Sequence, residues 1–140
     1  MRFPIPLLLA VVASTWCSLA QADPGILQSL SGEWRQVSSN AGKCDNCRVT
    51  VEISGRNLAV TANNGWSAVV QPGSQDGTFV AGKGSWKPGF GGAYGGKAFF
   101  LNLGIVDDRL LMLMTVPGPD GKLSNIKATF EKRSAAKDSI

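Results

Sequence analysis

The chain contains no histidine. That absence removes Ser-His-Asp and Cys-His nucleophilic arrangements and most zinc chemistry. Carboxylates are few, and Asp45, Asp76, Asp107, Asp108 and Asp120 all fall in turn-like stretches where water solvates them. Acid–base catalysis needs paired carboxylates whose surroundings split their pKa values, and no such pair stands out. The sequence therefore predicts no enzyme, no metal site and no cofactor. Past the N-terminus, no apolar run approaches the roughly 20 residues of a membrane-spanning helix. Basic residues are scattered (Arg35, Lys43, Arg48, Arg56, Lys83, Lys87, Lys97, Arg109, Lys122) and gather only near Lys127, Lys132 and Arg133. Nucleic-acid binding asks for a denser patch, so no nucleic-acid partner is expected.

What is present begins with an export signal. Met1-Arg2 is a short basic start, Pro6 to Ala13 an apolar stretch, and Ala20-Gln21-Ala22 a small-residue cleavage site. The expected signal peptide is residues 1–22, and the apolar stretch is too short to span a bilayer. Trp16 precedes Cys17 where a lipidated cysteine needs a small residue, so lipidation is not expected. The mature chain, from Asp23, has 118 residues with 13 basic and 10 acidic side chains. That is one domain, expected in the periplasm or outside the cell. Residues 23–133 form the domain, and 134–140 a polar tail.

Between Trp34 and Phe130 the sequence reads as eight short strands separated by turns. Arg48 to Ser54 alternates strictly, which puts Val49, Val51 and Ile53 on one face. The expected strands are Glu33–Val37, Cys47–Ser54, Leu58–Ala62, Trp66–Gln71, Thr78–Trp86, Lys97–Val106, Leu110–Val116 and Leu123–Lys132. Asn63-Asn64-Gly65 is the strongest hairpin signal, suited to a type I′ turn. Loops this short force antiparallel neighbours. The fold class is all-β: a single antiparallel up-and-down barrel of about eight strands, with a two-sheet β-sandwich as the alternative. Asp23 to Ser31 is a lead-in with one turn of helix, of the kind that plugs a barrel end. The seventh strand, Leu110 to Met114, is apolar on both faces. Its second face is read either as covered by the lead-in or as a surface for homo-oligomer formation through 110–116.

Cys44-Asp45-Asn46-Cys47 is the one reactive-looking motif. A redox pair wants its first cysteine at a helix N-terminus, and a tetrahedral metal wants four ligands. Between two strands of an exported chain, a structural disulfide is the leading reading and a redox module the alternative. Leu30-Ser31-Gly32-Glu33-Trp34 sets a Gly-x-Trp at the start of strand one. This resembles the calycin group of small barrels: lipocalins, avidins and the bacterial metalloprotease inhibitors. The resemblance implies that Gly32 and Trp34 are structural, at the closed end, with Lys132 or Arg133 beside the tryptophan. It carries over neither a lipocalin ligand nor biotin. In the inhibitors an N-terminal segment enters a protease cleft, and Asp23 to Leu30 is the segment that would correspond.

Gly84 to Gly96 joins strands five and six with six glycines, Trp86, Phe90 and Tyr94. No helix follows it, so it is not read as a phosphate loop. It is either a lid whose aromatics touch a ligand or a connector whose aromatics cap the core. Together these features predict a non-enzymatic exported binding protein that holds an apolar ligand or docks on a protein. Trp66, Trp86, Phe90 and Tyr94 are the candidate contacts. A cell-envelope protease or lysozyme inhibitor is the second reading. Small inward residues (Ala62, Ala68, Ala81, Gly82, Gly84, Ala98) are expected to leave space near strands four to six.

Overall fold

The computed structural model describes residues 2, 4, 25–73 and 77–133. The expected signal peptide (apart from Arg2 and Pro4), Asp23, Pro24, Asp76 and the 134–140 tail lie outside the described residues. A helix, α1 (Gly25–Leu30), precedes eight strands: β1 (Gly32–Ser39), β2 (Arg48–Ser54), β3 (Asn57–Ala62), β4 (Trp66–Pro72), β5 (Phe79–Trp86), β6 (Ala98–Val106), β7 (Arg109–Pro117) and β8 (Leu123–Lys132). Each strand pairs antiparallel with the next, and β8 pairs with β1. The sheet is a closed barrel, not a sandwich. Closure leaves no unpaired edge among these strands.

Alternation decides which side chains fill the barrel. Val49 and Val51, Leu58 and Val60, Leu101 and Leu103, Leu110 and Met114, and Ala128 and Phe130 point inward and are buried. Ile53 has the inward parity but sits past the end of the packed interior and is 47% exposed. Strand five, whose facing is ambiguous in sequence, buries Val80 and Trp86 and turns Lys83 and Ser85 outward. Gly82 and Gly84 share the inward face with Val80 and Trp86, and the neighbouring strand leaves no room there for a side chain. A Cβ at Gly82 would strike the Val69 carbonyl, and one at Gly84 would strike the Ser67 carbonyl and the Phe99 ring. The small residues near strands four to six therefore leave no space beside Gly84, because Phe99 occupies it. Ala81 and Ala98 are on the outer face.

The barrel has two unlike ends. At one, α1 lies as a plug: Leu30 is fully buried, and Ile26 and Leu27 pack against the core. The Trp34 indole N–H donates to the Leu30 carbonyl at 2.8 Å. The Lys132 ammonium sits 5.5 Å over the Trp34 ring, and a Cβ at Gly32 would crowd the Lys132 Cε at 3.1 Å. Arg35 pairs with Glu131, and Glu33 accepts from Arg133 at 3.2 Å. The calycin-like expectation for this end agrees with that geometry at the level of the barrel and its plug.

Turn chemistry differs from the sequence expectation in one place. The paired positive φ of a type I′ hairpin occurs at Asp107 and Asp108 (51° and 62°), between β6 and β7. Around Asn63-Asn64-Gly65 only Gly65 has positive φ, at 105°. That loop has three residues between β3 and β4, so one glycine suffices to reverse the chain. Asn63 instead braces the start of β2. Its Oδ1 accepts from the Arg48 N–H at 2.9 Å, and its Nδ2 donates to the Asn46 carbonyl at 2.7 Å.

Candidate functional site

The end opposite α1 gathers four connections: 40–47 after β1, 63–65 after β3, 87–97 after β5 and 118–122 after β7. The first three of these border a chamber of about 330 Å³. Its floor and walls are Val49, Trp66, Trp86, Met112, Met114, Ile126 and Phe130, and its roof includes Cys44, Cys47, Gly91 and Tyr94. The chamber is thus a vacant upper part of the barrel interior, above a filled lower part where Leu58, Val80, Leu103 and Leu110 leave no exposed surface to speak of.

The roof is built by hydrogen bonds within the glycine loop. Residues Gly92–Tyr94 make one turn of 3-10 helix, where sequence alone suggests only an irregular loop. The Tyr94 N–H donates to the Gly91 carbonyl at 3.0 Å, and the Gly96 N–H to the Trp86 carbonyl at 3.1 Å. Gly91 has φ of 73°, and a Cβ there would meet the Trp86 ring, so only glycine lets the loop lie on that indole. Tyr94 stacks on Trp86 at 6.4 Å between ring centroids. Trp86 meets Trp66 edge-on at 6.5 Å, and Trp66 meets Phe99 edge-on at 5.7 Å. Such contacts fix ring orientation as well as bury area. Lys97 ties this loop to the next one by donating to the carbonyls of Pro117 and Gly118 at 3.2 and 3.0 Å.

Trp66, Trp86 and Tyr94 therefore come together at the chamber, and Phe90 does not line it. Phe90 lies outside against Gly65 and is 50% exposed. Cys44 and Cys47 are joined as a disulfide, with Cα atoms 5.4 Å apart. The pair closes the turn just before β2 and places Cys47 among the lining side chains, with no helix following Cys44. Among the described residues, no three His, Cys, Asp or Glu side chains cluster as metal ligands would. The Trp86 Nε1 is buried and has no hydrogen-bond partner among the described residues.

The methionines of β7 are not singled out by alternation, because that strand is apolar on both faces, and nothing in their spacing marks them as chamber wall. Five polar lining residues, Gln36, Ser39, Lys43, Arg48 and Asn64, escape the sequence reading. Parity places Gln36 beside Trp34, but Ser39 reaches the interior only through a β-bulge. In the β1–β8 register Gln36 opposes Phe130 and Ser38 opposes Thr129, so Val37 is the extra residue. Bulges of this kind re-aim side chains near sites.

A second concavity, of about 670 Å³, lies on the outer wall, where Phe79, Leu111 and Leu113 face out beside Asn40, Asn102 and Lys127. This is the second apolar face of β7. Leu111 stays 38% exposed, so α1 does not cover it. Compared with family models and with curated protein sequences, the chain matches none.

Proposed function

We propose that the chain is an exported, non-enzymatic binding protein that acts in the periplasm or outside the cell and holds a small apolar ligand in the mouth of its barrel. The chamber walled by Trp66, Trp86, Met112, Met114 and Ile126 is the observation that carries this reading. Its volume sits at the small end of the roughly 300–1,000 Å³ usual for small-molecule sites. Aromatic and thioether side chains offer polarizable, adaptable contact to an apolar body. The calycin-like architecture supports the same reading, since a barrel with one plugged and one open end is a container. The Cys44–Cys47 disulfide is structural in this account: it holds the 40–47 loop over the chamber.

The test uses N-phenyl-1-naphthylamine, a neutral apolar fluorophore, and energy transfer from tryptophan. Saturable transfer at one site per chain is expected. It falls sharply in a Trp66→Phe, Trp86→Phe double variant, where Trp34 remains as a distant donor at the plugged end. No saturable transfer, or transfer undiminished in the double variant, would remove the chamber from the function.

A further inference from the structure

The chamber is not uniformly apolar. One side, contributed by β1 and the loop that follows it, presents Gln36, Ser39 and Lys43. The facing side, from β4, β5, β7 and β8, is the apolar wall already described. Ser39 joins this side because of the bulge at Val37. Without it, plain alternation would send Ser38 inward after Gln36 and turn Ser39 out. With it, Ser38 bonds Thr129 on the outer wall at 2.6 Å, while Ser39 opposes inward-facing Ala128.

This side offers hydrogen-bond donors to a ligand head, alongside the Gln36 amide oxygen, and its charge is positive. The Gln36 side chain makes no hydrogen bond to another described residue, so its amide N–H groups are available. Ser39 accepts from the Ala41 N–H at 3.1 Å, which leaves its own O–H to give. Lys43 carries an ammonium at the rim, 88% exposed, with Asp45 3.8 Å away. Two groups so exposed hold each other weakly, and Lys43 can exchange that partner for another anion. Arg48 also borders the chamber, but its guanidinium is turned along the outer wall to Glu33 at 3.4 Å.

The charge of the two ends points the same way. The connections at the mouth carry Lys43, Lys87, Lys97 and Lys122 against Asp45 and Asp120. The described turns at the plugged end carry Arg56 against Asp107 and Asp108. The surplus of positive charge thus stands around the chamber, within reach of a ligand head at ordinary ionic strength.

We infer that the occupant of the chamber is an amphiphile with an anionic head: its short apolar body lies against Trp66, Trp86 and the β7 methionines, and its carboxylate or phosphate meets Gln36, Ser39 and Lys43. This rests on the chamber reading above and adds the chemistry of the head. A neutral head would forgo the charge attraction of Lys43, and a cationic head would meet like charge.

The experiment compares ten-carbon ligands that differ only in the head, followed by displacement of N-phenyl-1-naphthylamine: decanoate, decyl phosphate, decanol and decyltrimethylammonium. One of the two anions binds at least about tenfold tighter than decanol, as a charge-assisted hydrogen bond permits. The ratio of the two anions assigns the head, and the cation binds weakest. Raising the salt concentration narrows the gap between anion and alcohol. Lys43→Glu, at a position too exposed to affect folding, and Gln36→Leu each shrink the ratio of anion to decanol affinity, which is read within each variant. Equal binding of anions and decanol, or a gap that survives both variants, overturns the anionic head while the chamber reading stands. Failure of the neutral fluorophore itself to bind overturns both.

Discussion

The plugged end and the open end of this barrel are made of the same kinds of residue and end up doing opposite things. Each has a buried tryptophan on an inward strand position, Trp34 at one end and Trp86 at the other. The Trp34 N–H reaches the Leu30 carbonyl, its ring carries Lys132, and a helix lies over it. The Trp86 N–H has no partner among the described residues, and beside its ring the barrel is vacant. The difference teaches where packing was completed and where it was stopped short. A barrel of eight strands is just wide enough for side chains to fill, and equally able to hold one small ligand. Here side chains fill the lower part, and the upper part is left open as a chamber.

The largest expected effect contrasts equal truncations at the two ends. Leu58→Ala in the filled part leaves a void with no means of relaxing and costs about 3–5 kcal/mol. Ile126→Ala enlarges a chamber that is already open, so the cost falls near the bottom of the range, about 2 kcal/mol. Urea unfolding of both variants checks this, and equal losses would break the contrast between a packed end and a vacant one. Next comes the disulfide. A Cys44→Ser, Cys47→Ser double variant frees a very short loop and is expected to lose about 2 kcal/mol. Because that loop roofs the chamber, ligand affinity should fall as well, which titration of the folded variant reads separately from stability.

The last and sharpest test sets the two tryptophans against each other. Trp34→Phe removes a made hydrogen bond and leaves the Leu30 carbonyl unpaired, at about 1–3 kcal/mol beyond the loss of ring area. Trp86→Phe removes a donor that bonds to nothing and carries no such penalty. A Trp86→Phe loss as large as that of Trp34→Phe, measured by thermal unfolding, would mean that the Trp86 N–H does find a partner in solution.

Much of this architecture is legible in the sequence. Strict alternation in β2, β3, β6 and β8 identifies the inward residues, and short turns require antiparallel neighbours. The strand limits shift by only a few residues, most in β1, which runs on to Ser39. The type I′ turn moves from Asn-Gly to Asp107-Asp108, because a turn conformation depends on how many residues separate the paired strands as well as on which residues they are. The candidate site is legible in part. Aromatic side chains around the glycine loop draw attention to Trp66, Trp86 and Tyr94, which do line the chamber. Phe90 draws the same attention and lies outside, because Gly65 offers its ring a seat there.

By itself, the sequence determined the periodicity of the strands, their antiparallel order, the short Cys44–Cys47 link and the absence of histidine chemistry. These are local properties: each follows from a few neighbouring residues and their backbone preferences. Only the tertiary structure decided where the barrel is full and where it is empty. Space near Gly82 and Gly84, suggested by residue size, is taken up by Phe99 and by the close approach of β4. Space beside β1, β7 and β8 depends on how three separate loops meet above it, and the inward turn of Ser39 on a bulge that no residue type announces. Volume is a property of side chains from distant strands summed in three dimensions, and one strand's alternation cannot carry that sum.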